Sequence, residues 1–229
     1  MTAKEPSLHP VLSGAETWEG WLLLSGGIPA LTPQAGPLLN RLVELGAAAG
    51  NALCLAPETD MSGDLPGFLE GLEALLDISI RRVNLSASAS ETSPDFAILA
   101  GGSPGKWATI YQDTWLGDSL AASLQCGGCL LACGPAAAAL GEWLLPVQDQ
   151  DPSGPVVPGA VWLPGAAILI GSRQPGDHRR ARQLLALKPQ AYVLGLEAAS
   201  VLGLGPDGQI ELLAPPAPGI LLGSRWRQS

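Results

Sequence analysis

Three apolar runs in this chain stop at glycines: GWLLLSGG at Gly20–Gly27, DFAILAGG at Asp95–Gly102 and LLACG at Leu130–Gly134. A short continuous apolar run that ends in a turn signal reads as a strand buried on both faces, the kind found in the middle of a parallel sheet. Two further strands fit Asn51–Pro57 and Ile78–Leu85. Between the strands lie segments with helical spacing: Pro37–Ala49, opened by Pro37 and stopped by Gly50, then Gly63–Asp77 and Thr114–Gln125. This alternation predicts an α/β chain of the three-layer αβα kind with a mostly parallel sheet. Any site then falls at the loops after Gly27, Gly102 and Gly134, beyond the carboxyl ends of the strands.

The third run carries the chemical question. LLACGPAAAALGEW, Leu130 to Trp143, reads as a strand that breaks at a glycine and runs at once into an alanine-rich helix. In α/β hydrolytic enzymes this strand, sharp turn and helix is where the nucleophile sits. No serine is present, and the nearest reactive side chain is Cys133. After Pro146 the texture changes to a polar, proline-rich loop. Ala160–Gly171 then reads as two short strands around a Pro-Gly turn, and Gly176–Pro189 as a short basic helix. Strands follow in Ala191–Leu213, folded back as a C-terminal β-hairpin at Pro206-Asp207-Gly208, and again in Gly219–Ser224. The expected organisation is an N-terminal arm over residues 1–18 and a single domain over 19–229.

Composition supports a packed domain and excludes several partners. Of 229 residues 47% are hydrophobic and 14% charged, enough for a large core. A net charge of −9, with no basic run interleaved with aromatics, argues against nucleic acid and anionic membranes. No apolar run approaches the roughly 20 residues that span a bilayer, so the expectation is a soluble, cytoplasmic protein. Cys54, Cys126, Cys129 and Cys133 are too few and too clustered for a disulfide framework. Cys126 and Cys129 have the spacing of a zinc or redox pair, yet neither histidine lies near in sequence, so small thiols packed in a strand are preferred to a metal site. No cofactor is expected.

The order of elements, with glycine pairs closing two strands and a strand-elbow-helix unit after them, resembles the cyanophycinase and dipeptidase-E family of serine peptidases, which share the class I glutamine amidotransferase fold. AILAGGSPGKW looks like that family's glycine-pair loop, LLACGPAAAALG like its nucleophile elbow, and GLEAASVLGLGPDGQIELL like its late acidic motif and terminal hairpin. Active members carry Gly-x-Ser-Ala-Gly-Ala at the elbow. Matching small residues places Gly134 at the serine and Pro135 after it, because Ala132 and Ala136 then flank the turn where strand and helix nearly touch. Centring on Cys133 puts Leu131 and Pro135 at those crowded positions. Glycine supplies no nucleophile, and proline has no N–H to lend to an oxyanion hole. The family's histidine position falls near Gln174, four residues before His178, and its paired late carboxylates correspond to Glu197 and Ala198.

The resemblance therefore implies a catalytically inactive relative, retained for binding a small amino-acid-like ligand or for protein interaction, a homodimer included. The binding candidates are Gly101, Gly102, Ser103, Lys106, Gly134 and Glu197. The alternative is a hydrolase of small peptides or amides that uses Cys133 as a displaced nucleophile, with His178 as a candidate acid or base. Arg173, Arg179, Arg180, Arg182 and Lys188 form a basic cluster that reads as a solvated helix or, less simply, as an anion site. Trp107 and Trp115 follow the glycine-pair loop and suit core packing, a pocket wall or an interface.

Overall fold

The computed structural model describes residues 18–46, 50–57, 64–84, 93–113, 115–145 and 156–227. The first five expected strands become β1 (Trp21–Ser25), β2 (Ala52–Ala56), β3 (Ile80–Asn84), β4 (Phe96–Leu99) and β5 (Cys129–Cys133), which pair in parallel in the order β1-β5-β4-β2-β3. Two antiparallel strands, β10 (Val201–Leu204) and β11 (Ile210–Ala214), extend the sheet beyond β1 to make seven. Pro206–Gly208 turns the chain between them.

The remaining strands form a second sheet that the sequence reading did not separate from the first. β6 (Gly141–Leu144), β7 (Val157–Pro158), β8 (Leu163–Ile170), β9 (Tyr192–Leu196) and β12 (Gly219–Leu222) run in the order β12-β9-β8-β6-β7. Three expectations are corrected here. The alanine-rich helix is α5 (Pro135–Ala139), five residues long, and Gly141–Leu144 is a strand rather than its continuation. Pro164-Gly165 does not divide two strands; it lies inside the eight-residue β8. A helix, α3 (Pro104–Asp113), follows the glycine-pair loop directly, so Lys106 belongs to a helix and not to the loop.

Packing follows strand period. On β1 and β5 the residues Leu22, Leu24, Leu130 and Ala132 face one core, which they share with α3, α4 (Trp115–Gln125), α5 and the inner face of the second sheet. Trp21, Leu23, Cys129, Leu131 and Cys133 face the other, closed by α1 (Gly36–Gly46) and α2 (Asp64–Leu76). Helix α2 buries Leu65, Phe68, Leu69, Leu72 and Leu76, a stripe at helical spacing. The outer face of the second sheet packs on α6 (Arg179–Leu187) through Ala181, Leu184 and Leu185.

Polar contacts at the margin are secondary to this burial. Arg41 on α1 donates to both carboxylate oxygens of Glu211 at 2.8 Å, pairs with Glu44 at 2.8 Å, and lies 4.2 Å from the Trp21 ring centroid. An ion pair this exposed contributes about 1 kcal/mol at most. Leu38 and Leu42 of the same helix are fully buried, and each contributes about 1.5–3 kcal/mol. Apolar burial therefore holds α1 in place, and Arg41 links it to the edge strand. Of the N-terminal arm only Trp18 falls within the described residues, and it packs on the core between the sheets.

Candidate functional site

The carboxyl ends of β1, β5 and β4 are neighbours, so the loops after Ser25, Cys133 and Leu99 lie side by side. At the middle one the chain reverses abruptly. Gly134 has φ 55° and ψ −117°, a backbone that L side chains rarely adopt, and it caps α5. Its N–H donates to the Ser25 carbonyl at 2.9 Å, and its own carbonyl accepts from Ala138 N–H at 3.0 Å. The turn is thus fixed from the strand side and the helix side at once. A Cβ built on Gly134 has as its nearest heavy atom the Gly26 carbonyl oxygen, 3.8 Å away, so a side chain would start in open space. Pro135 follows at the first position of the helix and has no N–H to offer.

The loop from the second sheet closes this end. A Cβ at Gly26 would collide with the carbonyl oxygen of Glu197, and one at Gly27 would press on Ala198 at 3.2–3.4 Å, so the two backbones touch. Gly26 N–H donates to Ser200 at 3.2 Å, and Gly171 N–H, leaving β8, donates to Leu196 at 2.8 Å. Glu197 is half-buried beside this contact. Ser25 escaped the sequence reading. It is fully buried, its hydroxyl donates to the Gly27 carbonyl at 2.7 Å, and its carbonyl holds the elbow. A serine immediately before a glycine pair at a strand end was the available signal.

On the other side Gly101 and Gly102 both have positive φ, 67° and 73°, and lead into α3. Trp107 fills the space beneath them, fully buried, with its indole N–H donating to the Gly101 carbonyl at 2.7 Å. It stacks on Tyr111 at 5.4 Å between centroids, and Tyr111 meets Trp162 at 5.1 Å. The Tyr111 hydroxyl donates to the Ala136 carbonyl at 3.2 Å, which ties α3 to α5, and burial pushes its pKa well above the usual phenol range. Ser103 and Lys106 are exposed, and Lys106 N–H approaches Ser103 Oγ at 3.4 Å. Trp115, by contrast, is 45% exposed.

Cys133 is not presented at this end. It alternates with Ala132 and turns into the core under α1 and α2, 1% exposed. Burial, with a smaller contribution from the neighbouring Cys54, pushes its thiol well above the ordinary range, which removes the thiolate a nucleophile needs. Cys129 shares that face, whereas Cys126 is exposed. The C-x-x-C pair is thus split between solvent and core, and no group of three or more potential metal ligands occurs among the described residues.

Gln174 and His178 lie on the chain leaving β8. Gln174 is exposed, with its N–H on Ser172 Oγ at 3.2 Å; His178 is the half-buried N-cap residue of α6, and its carbonyl accepts from Arg182 N–H at 3.3 Å. The close backbone neighbours of this stretch are Gly195 and Gly219 of the second sheet, against which Ser172, Arg173 and Pro175 pack. Arg173, Arg179 and Arg182 are exposed. Among the described residues no helix is long and apolar enough to cross a membrane.

These features define an α/β protein with a peptidase-like fold. The chain is similar to a peptidase from an acI-B1 Actinobacterium, whose crystal structure superposes with a TM-score of 0.58 at 16% sequence identity, over 91% of this chain and 96% of that one. At this identity the likeness is one of fold. No protein-family model and no curated protein sequence matches the chain.

Proposed function

We propose that the chain is a catalytically silent relative of the cyanophycinase and dipeptidase-E peptidases, with a class I glutamine amidotransferase-like fold, that keeps the end of the sheet as a binding site for a small amino-acid-like ligand. The observation that carries this reading is Gly134: it has the strained strand-to-helix turn of a nucleophile elbow, with room for a side chain, and no side chain to react. Pro135 removes the adjacent oxyanion donor, a loss that typically costs about 10²–10³ in rate. The likeness in fold to a peptidase supports the same class.

The groups available for a ligand are of two kinds. Glu197 offers a carboxylate that suits an ammonium group, and the Gly101–Gly102 turn with Lys106 offers polar backbone and a cation that suit a carboxylate. The two kinds lie on either side of Gly134, the first on the loop after β9 and the second on the turn after β4 and the first turn of α3. The test is a panel of free amino acids and fluorogenic dipeptides. The expected result is a rise in melting temperature with some of them and no hydrolysis above the buffer rate. Turnover that Cys133→Ala abolishes would overturn the proposal in favour of a thiol hydrolase.

A further inference from the structure

The two sheets end in four edge strands, and these are protected unequally. β3 sets the exposed Arg81 and Arg82 on one outer edge, and β7 is only two residues long and ends in Pro158. Charge, brevity and proline are devices by which a sheet edge avoids pairing with another chain. β11 (Ile-Glu-Leu-Leu-Ala) and β12 (Gly-Ile-Leu-Leu) contain no lysine, arginine or proline, and the single charge between them, Glu211, is held by Arg41. The guarded edges lie at one end of each strand order and the unguarded edges at the other, one strand outside β10 and β9.

The unguarded strands also expose the core. Ile210 and Leu212 pair with Leu204 and Leu202, and Ile220 pairs with Leu194, so all three continue rows that line the space between the sheets. They are 69%, 45% and 63% exposed. Among the described residues the core between the sheets is therefore open along β11 and β12.

We infer that this open edge is the contact surface for a second copy of the chain, related by a two-fold axis that runs between β11 and β12. The rim charges select a copy over another partner. The turn before β11 carries the exposed Asp207, and the segment after β12 carries the exposed Arg225. A partner of one sign satisfies one rim and opposes the other, whereas a two-fold lays each acidic rim on a basic one and covers Ile210 and Leu212 with Ile220. The inference does not rest on the ligand reading, because its measurement is mass and not binding or turnover.

Light scattering after size exclusion at about 50 µM protein is expected to give twice the chain mass. Ile210→Lys and Ile220→Lys, both at exposed positions, are expected to return the single chain mass with an unchanged far-ultraviolet circular dichroism spectrum; Ile220→Lys serves alone if the first variant misfolds. Asp207→Asn suits the positive φ of 55° at that residue. With Arg225→Gln it completes a cycle in which each single change weakens the dimer about threefold and the double change weakens it no further. A wild type of single mass, a dimer that survives both lysines, or additive effects in the cycle would each overturn the inference.

Discussion

Strand β5 and the turn that follows it are adjacent in the chain and opposite in character. The strand holds reactive groups without access: Cys129 and Cys133 are 1% exposed, and burial keeps both thiols protonated. The turn has an uncommon backbone without a group, since Gly134 lies at φ 55° and ψ −117° and has no side chain. Strand period decides between them. One residue of displacement sends a side chain to the opposite face, so a cysteine directly before the elbow faces the α1–α2 core and cannot replace a nucleophile at the turn. A reactive side chain next to a sharp strand-to-helix turn is thus available to that turn only if strand parity agrees.

The largest expected effect tests access. Of the four free cysteines only Cys126 is exposed. A disulfide reagent added to the native protein is expected to titrate one thiol at once and the other three at least about 10³-fold more slowly, at the rate at which the core opens. Rapid reaction of Cys133 would mean that its thiol reaches solvent in the native state.

A second test contrasts two glycines of the same site. At Gly26 a Cβ collides with the Glu197 backbone, whereas at Gly134 the nearest atom is 3.8 Å away and only φ opposes a side chain. Gly26→Ala is expected to lower stability by about 3 kcal/mol, and Gly134→Ala by about 1–2 kcal/mol, by urea denaturation. A reversal of that order would mean that the elbow is crowded and not vacant.

The smallest effect is in pH dependence. Burial raises Cys54 to about 11 and the thiols of Cys129 and Cys133 further. Unfolded thiols lose their protons near pH ~8.5, so above that pH the native state binds more protons than the unfolded one. The contribution of the thiols is therefore complete below about pH 8.5 and falls as pH rises toward 11 and beyond, by up to about 1.4 kcal/mol per pH unit for each thiol. Replacing Cys54 by Ala should flatten the slope of the urea midpoint between pH 9 and 11. An unchanged slope would show that this thiol titrates alike in both states.

The first sheet was legible at its centre because β1, β2, β4 and β5 are continuous apolar runs closed by local punctuation. The second was not, because its signals are long-range. Pro164-Gly165 reads locally as a turn, yet Gly165, at φ 72°, donates its N–H to the Glu142 carboxylate at 2.7 Å from 23 residues earlier. That bond satisfies an irregular backbone inside β8, where the pairing with β6 shifts register. The alanine run promised a longer helix on propensity. A residue with a Cβ at position 141 would press on the Ala166 backbone, so the chain flattens against β8 there. Helix α3 had a readable start, with Pro104 in its first position and Ser103 before it. The break at Gly134 was legible from its small neighbours, since Ala132 and Ala136 on either side of the turn both have no exposed surface.

The aromatic stack beneath the glycine-pair loop gives the molecule an optical property. Tyr111 lies 5.4 Å from the ring of Trp107 and 5.1 Å from that of Trp162, and all three are sealed from solvent. Light absorbed by this phenol passes to the flanking indoles before it can be re-emitted. Trp107 stays one helical turn from Tyr111 even after α3 has left α5 and the second sheet, so this phenol should emit only when α3 itself unwinds; once Tyr192, paired with Trp226, is replaced by Phe, tyrosine emission becomes a built-in reporter of that helix.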